Sequence, residues 1–163
     1  MPLDLPAGIS CFVDSNIFVY HFAGVGPITA CCREFLCRIG GSLTGFTTAS
    51  CIADAVHRFM MIEAQEKFAL GMNTLRWLQR HPERIRELTI YQDAAREVEV
   101  LPLQLLVPDA VTISEATDIS HTHSLLTNDA IIVALMRRHG LTHVVTNDDD
   151  FDRVPGLTVW KPR

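Results

Sequence analysis

No two cysteines of this chain form a C-x-x-C pair, although it has five: Cys11, Cys31, Cys32, Cys37 and Cys51. An odd number confined to the first third of the sequence builds neither a disulfide framework nor a zinc ribbon. Free thiols in a reducing compartment fit better. Long apolar runs are also missing. Hydrophobic residues make up 48% of the 163, enough for one real core, but no run of them nears the roughly 20 residues of a membrane span. The start, Met1-Pro2-Leu3-Asp4-Leu5, has neither the basic region nor the apolar region of a secretory leader, so a soluble cytoplasmic protein is expected. Positive charge is in short supply, with 14 Lys and Arg against 19 Asp and Glu, a net charge of −5. That excludes nucleic-acid binding by bulk electrostatics and leaves only local contacts. H-E-x-x-H, P-loop, dinucleotide-glycine and nucleophile-elbow patterns are absent as well.

What is present is an alternation of short β-like runs and helical segments. Ile9–Val13 reads as a buried strand, followed by a helix from Ile17 to Phe22 that Gly24-Val25-Gly26-Pro27 breaks. Thr29–Ile39 reads as a helix closed by Gly40-Gly41. Ser42–Phe46 is a second strand. Thr47, Thr48 or Ser50 caps the next helix, whose core stripe is Ala49, Ile52, Ala53, Val56, Phe59 and Met60. A further helix is expected from Phe68 to Arg80, stopping before His81-Pro82. Glu83–Leu101 has helical character without a clean boundary. Leu103–Val107, His143–Thr146 and Leu157–Trp160 read as strands, and Ala110–Ser120 and Ala130–His139 as helices, the latter capped by Thr127 or Asn128. This order implies a mostly parallel sheet of about four to five strands with helices on both faces. No repeat, linker or low-complexity tract interrupts it, so residues 1–163 are expected to form a single domain.

Four acids sit at the edges of these segments: Asp14 and Asp148 just after strands, Asp54 and Asp129 near helix starts. Strand C-ends and helix N-ends of one α/β sheet can converge on one crevice. Gathered carboxylates repel one another, so such a cluster exists to hold a cation. Mg²⁺ or Mn²⁺ held by carboxylates can activate water against a phosphodiester and stabilise the leaving oxygen. Asn16 and Thr146 would add neutral hydrogen bonds that orient the acids.

Val13-Asp14-Ser15-Asn16, Leu126-Thr127-Asn128-Asp129-Ala130 and Val145-Thr146-Asn147-Asp148-Asp149-Asp150-Phe151 together resemble the motifs of PIN-domain ribonucleases. The compact length and the closing Phe151–Leu157 stretch are most similar to VapC-type toxins of toxin–antitoxin pairs. The resemblance covers nearly the whole chain and is weakest between Phe68 and Val107. It implies a three-layer α/β/α fold and a Mg²⁺- or Mn²⁺-dependent endoribonuclease. Asp14, Asp129 and Asp148 would be its metal-binding acids, Asp54 a further catalytic acid and Asp150 a supporting one. It also implies an RNA substrate, a cognate antitoxin and a homodimer. The family's second acid is usually Glu, whereas Asp54-Ala55-Val56-His57-Arg58 stands there in this chain. The charge is kept and the side chain is one methylene shorter.

Two other functions compete. The short Asp54 favours a PIN-like module that binds RNA or a partner without cutting. A metal-dependent phosphatase is disfavoured, because Asn16 stands where an aspartyl-phosphate enzyme wants a second acid. Each acid also has a purely structural reading: Asp14 as a helix cap, Asp129 as a first-turn acid favoured by the helix dipole, Asp148 as an Asx turn, Asp54 as a solvated flank. Asp149 and Asp152 read as solvated turn residues, and His121-x-His123 as surface. Arg137-Arg138-His139 reads as compensation of a helix C-terminus, and Glu63 as too far along its helix to replace Asp54.

Overall fold

The computed structural model describes residues 3–24 and 26–163. Met1, Pro2 and Val25 lie outside the described residues, and with them the first residues of the leader reading and the middle of the Gly24–Pro27 break. Five strands form one sheet: β1 Ser10–Val13, β2 Thr44–Thr48, β3 Leu103–Leu106, β4 His143–Val145 and β5 Thr158–Trp160. Their spatial order is β3-β2-β1-β4-β5, and every pairing is parallel. The chain moves outward from β1 to β3, then returns to the other side of β1 for β4. The order therefore reverses between β1 and β4, the place where open α/β sheets form a crevice beyond their strand C-ends.

Alternation along the strands divides the interior into two cores. Cys11 and Val13 of β1 and Val145 of β4 point to one face. There they meet Ile17 and Phe18 of α1 (Ser15–Ala23), Cys32 and Phe35 of α2 (Pro27–Cys37), Ala55 and Phe59 of α3 (Ala49–Phe68), and Val98 of α5 (Ile90–Glu99). Phe12 and Val144 point to the opposite face, against Ala116 and Ile119 of α6 (Ala110–His123) and Val133 and Met136 of α7 (Thr127–Arg138). Helices on both sides of a parallel sheet give the expected α/β/α layers. Among the described residues no helix is long and apolar enough to cross a membrane, and all five cysteines are free thiols.

Several boundaries differ from the sequence reading for identifiable reasons. The second strand starts later than Ser42, because Gly40 (φ +79°) turns the chain and its N–H donates to the Leu43 carbonyl. The strand then runs to Thr48, whose hydroxyl accepts from the Cys51 N–H at 3.1 Å and caps α3. No helix spans Phe68–Arg80. Helix α3 continues to Phe68 and ends at Ala69 in the left-handed region (φ +51°), and α4 covers only Thr74–Arg80. Phe68 and Trp77 then face each other across the break, with ring centroids 5.1 Å apart, over a small third core of Ala64, Leu78 and Leu88. The segment after Pro82 is a 3₁₀ turn (Pro82–Glu87) followed by α5. Helix α7 starts at Thr127 with Leu126 before it, so Thr127 and Asn128 lie inside its first turn instead of capping it.

The core stripe of α3 is rotated by about one residue from the expected one. Cys51, Ala55, Phe59, Glu63 and Ala64 are buried, while Ala49 and Ala53 are exposed. Packing against α1 and α5 at once decides the rotation, since both neighbours press on the Ala55–Phe59 side. Glu63 becomes a structural residue: its two oxygens accept from the Thr89 N–H (2.7 Å) and the Tyr91 N–H (2.9 Å), at the start of α5. Glu63→Ala removes both acceptors from a largely buried site. It is expected to lower stability by about 1–3 kcal/mol in a urea melt, with metal binding unchanged.

Candidate active site

Asp14 follows β1 directly, and its N–H still donates to the Val145 carbonyl of β4 at 3.0 Å. The side chain is buried, and both of its oxygens accept hydrogen bonds. Oδ1 accepts from the Ser15 N–H (2.6 Å) and hydroxyl (3.3 Å). Oδ2 accepts from Asn16 Nδ2 (2.7 Å) and the Thr146 hydroxyl (2.6 Å). The capping reading of Asp14 is thus correct as far as it goes, because the contact with Ser15 starts α1. Burial pushes the Asp14 carboxyl up, and the hydrogen bonds from Thr146 and Ser15 pull it back.

Thr146 ties the two central strand ends together. Its hydroxyl donates to Asp14 and accepts from Asn16 Nδ2 (2.9 Å) and the Asp148 N–H (3.0 Å). Asn16 Oδ1 accepts from the Asn147 N–H at 3.1 Å. The loop after β4 is therefore latched onto the start of α1, at the point where strand order reverses. Asp148 starts the 3₁₀ turn Asp149–Arg153, with Oδ1 accepting from the Asp150 N–H at 2.8 Å. The carboxylates of Asp148 and Asp150 stay half-buried, and Asp148 lines the crevice.

Asp129 enters from the first turn of α7 and Asp54 from the second turn of α3. With Asp14 and Asp148 they line one crevice of about 900 Å³. Oxygens of Asp129, Asp148 and Asp150 lie within 4.8 Å of one another. The Asp129 carboxyl is pushed up to about 6, by burial first and then by the charges of Asp148, Asp14, Asp150 and Asp54. Proton affinity of this kind measures the negative potential that a cation would relieve. Among the described residues, none of Asp14, Asp54, Asp129 or Asp148 has an ion pair, whereas Asp150 is held by Arg153 at 2.7 Å. An all-oxygen donor set with uncompensated charge fits a hard divalent cation such as Mg²⁺ or Mn²⁺. It does not fit zinc, which favours nitrogen and sulfur.

Other acids have different partners. Asp149 and Asp152 are exposed turn residues, as expected, and both also pair with the ammonium of Lys161, which is buried just beyond β5. That clamp fixes the turn carrying Asp148 and Asp150 from outside. No sequence signal joins Lys161 to the acidic run, since the link exists only once β5 lies beside β4. Arg137 and Arg138 lie in the last turn of α7, where they oppose the helix dipole as expected, and Arg138 also reaches Asp109, the N-cap of α6, at 2.7 Å. His121 and His123 lie at the far end of α6, outside the crevice. Sequence reasoning also missed Tyr20, whose hydroxyl accepts from Asn147 Nδ2 at 3.0 Å, and Arg58, one turn beyond Asp54; both line the crevice.

The family model for the PIN domain matches residues 11–157. No curated protein sequence matches the chain significantly. Solved structures share its fold, three of them as follows. One is VapBC2 from Rickettsia felis bound to a DNA fragment from its promoter, with 14% identity, a TM-score of 0.56, and coverage of 94% of this chain and 98% of that one. The second is a toxin–antitoxin complex from Klebsiella pneumoniae, with 15% identity, a TM-score of 0.56, and coverage of 91% and 95%. The third is PAE2754 from Pyrobaculum aerophilum, with 11% identity, a TM-score of 0.55, and coverage of 93% and 90%.

Proposed function

The chain belongs to the PIN domain family, whose members are nucleases, and from that premise we propose that it is a Mg²⁺- or Mn²⁺-dependent endoribonuclease, the toxin of a toxin–antitoxin pair. The observation that carries this reading is the convergence of Asp14, Asp54, Asp129 and Asp148 from four separate elements on one crevice, with no cationic side chain among the described residues paired to them. Asp129, Asp148 and Asp14 would hold the cation, and Asp150 would support them. Bound there, the cation would activate water and offset charge on the phosphodiester oxygens. Thr146 and Asn16 keep Asp14 from rotating away. Asp54, exposed on the α3 wall, orients water through hydrogen bonds and takes up its proton. Attack of the water oxygen then forms a new P–O bond and breaks one P–O bond of the backbone, and the departing oxygen takes a proton from solvent.

Two of the structures that share the fold are toxin–antitoxin complexes, which supports a cognate antitoxin as partner. Leu105, Val107 and Val111 are exposed on and just after the outer strand β3, and exposed apolar side chains near one sheet edge support a protein contact, with the antitoxin or in a homodimer. The reading includes one domain and a cytoplasmic location, where the five free thiols stay reduced.

The test is incubation of the purified protein, freed of any bound partner, with structured cellular RNA in Mn²⁺ and in EDTA. Discrete cuts in Mn²⁺ alone support the proposal. RNA bound without turnover favours the non-cutting module instead, the reading that the short Asp54 side chain motivates. Asp54→Glu separates the two. It is expected to tighten Mn²⁺ binding roughly tenfold and raise the cleavage rate; an unchanged titration and no turnover would leave the non-cutting module standing.

A further inference from the structure

The crevice is larger than a cation and one phosphate need, and only one end of it is acidic. Its volume of about 900 Å³ is in the range of sites that enclose a whole organic ligand. The rotation of α3 gives this helix a second stripe, separate from its core stripe. Asp54, Arg58, Met61, Ile62 and Gln65 follow one another along the crevice wall. At 1.5 Å per residue, Arg58 lies about 6 Å, Ile62 about 12 Å and Gln65 about 16 Å beyond Asp54. Acid, cation, apolar patch and amide are thus laid out in that order from the acidic end. Among the described residues that line the crevice, Arg58 is the only cation. It has no ion pair, although Asp54 is one turn away on the same helix. Tyr20 of α1, the helix packed beside α3, lines the same crevice, half-buried and held at its hydroxyl by Asn147. A ring fixed in this way has little freedom to lose on stacking.

We propose that this wall is a substrate track for single-stranded RNA: Arg58 contacts the phosphate next to the scissile one, and Tyr20, Met61 and Ile62 receive the unstacked base that follows, with the Gln65 amide at its edge. This rests on the ribonuclease reading of the acidic end. Continuity selects the occupant, because a base at Ile62 and a phosphate at Arg58 belong to the backbone whose scissile phosphate lies at the acids. A guanidinium beside a carboxylate cluster suits a polyanion that brings its own charge. An apolar patch with one fixed ring and an amide suits a base that has left its stack. A duplex, with its bases already stacked, cannot fill it.

The experiment uses the full chain in Ca²⁺ and reads fluorescence anisotropy. Its probes are a short labelled oligoribonucleotide of mixed sequence, the same strand in a duplex, and an abasic strand with the same number of phosphates. The wild type is expected to bind the single strand most tightly. Arg58→Ala should weaken the single and the abasic strand alike, roughly tenfold, and reduce the salt-dependence slope by about 0.7, the value for one lost phosphate contact on a single strand. Tyr20→Leu, which keeps most of the packing volume, should weaken the base-bearing strand roughly tenfold and spare the abasic one. Tyr20→Phe keeps the ring but loses its anchor to Asn147 and should fall between the wild type and Tyr20→Leu. In Mn²⁺, Arg58→Ala and Tyr20→Leu should raise KM more than they lower kcat. Wild-type affinity of folded Arg58→Ala and Tyr20→Leu for all three probes overturns the track. So does unchanged RNA affinity with loss of the antitoxin complex, which would assign the wall to a protein segment. The binding pattern without cleavage in Mn²⁺ counts against the ribonuclease reading alone; cleavage with both variants unaffected counts against the track alone.

Discussion

Asp14→Asn is expected to reduce Mn²⁺-dependent RNA cleavage by about 10²–10³-fold, the usual loss when one preorganised electrostatic group is removed, while the protein stays folded. Asparagine is the informative substitution because it preserves the local role of this side chain. It is as good an N-cap as aspartate, so its carbonyl oxygen can still accept from the Ser15 N–H and start α1. What it cannot supply is negative charge at the crevice, or a second acceptor for Asn16 Nδ2 and the Thr146 hydroxyl. Loss of a buried charge and loss of hydrogen bonds act in opposite directions on stability, so the unfolding midpoint should move by no more than about 1 kcal/mol. Asp14→Ala removes the cap as well and should cost about 1 kcal/mol more. Initial cleavage rates in Mn²⁺ and a urea melt in EDTA separate the two effects. A full cleavage rate in folded Asp14→Asn would remove Asp14 from the site and leave it as a helix cap.

The positions of the acids were legible in the sequence because their neighbours were. Val13-Asp14 and Val145-Thr146 mark strand ends, and a strand end in a parallel sheet places the next side chain at the crevice. That Thr146 and Asn16 would hydrogen-bond to the acids was legible too; that both hold Asp14, and that they also accept from the Asp148 and Asn147 N–H groups, was not. The rotation of α3 did not, because periodicity alone allows a stripe through Ala53 and Val56 as readily as one through Ala55 and Phe59. Alanine is small enough to suit either face, so the choice falls to the tertiary contacts with α1 and α5. Arg58 and Ile62 could be assigned to the crevice only after that choice was known. The break at Ala69 was hidden for another reason: alanine is the strongest helix former, yet this one adopts the left-handed cap, a position that normally takes glycine. The Lys161 clamp on Asp149 and Asp152 depends on β5 pairing with β4 and has no local signature.

Asp129→Asn should stabilise the metal-free protein and weaken its response to cation. The Asp129 carboxyl is raised from 3.8 to about 6 in the fold, by burial and by four neighbouring carboxylates. A carboxyl with a raised folded pKa binds more protons folded than unfolded, so the fold loses stability as pH rises through the interval from 3.8 to about 6. Above that interval the penalty is complete. Asp129 is half-exposed, so solvent screening reduces the penalty from its nominal size to on the order of 1 kcal/mol. In EDTA near neutral pH, Asp129→Asn is therefore expected to be more stable than the wild type by about that amount. The difference should shrink as pH falls through about 6 toward 4. Cation reverses the order. At a hundred times its dissociation constant, Mn²⁺ should stabilise the wild type by about 2.7 kcal/mol and Asp129→Asn by much less. Unfolding midpoints for both proteins, with and without Mn²⁺, on either side of the Asp129 titration, check all three statements. Equal Mn²⁺ stabilisation of the two proteins would mean that the acids gather without Asp129 as a ligand. A site whose like charges destabilise the empty fold is one whose stability has been given up for binding, and the sign of this single substitution measures that exchange.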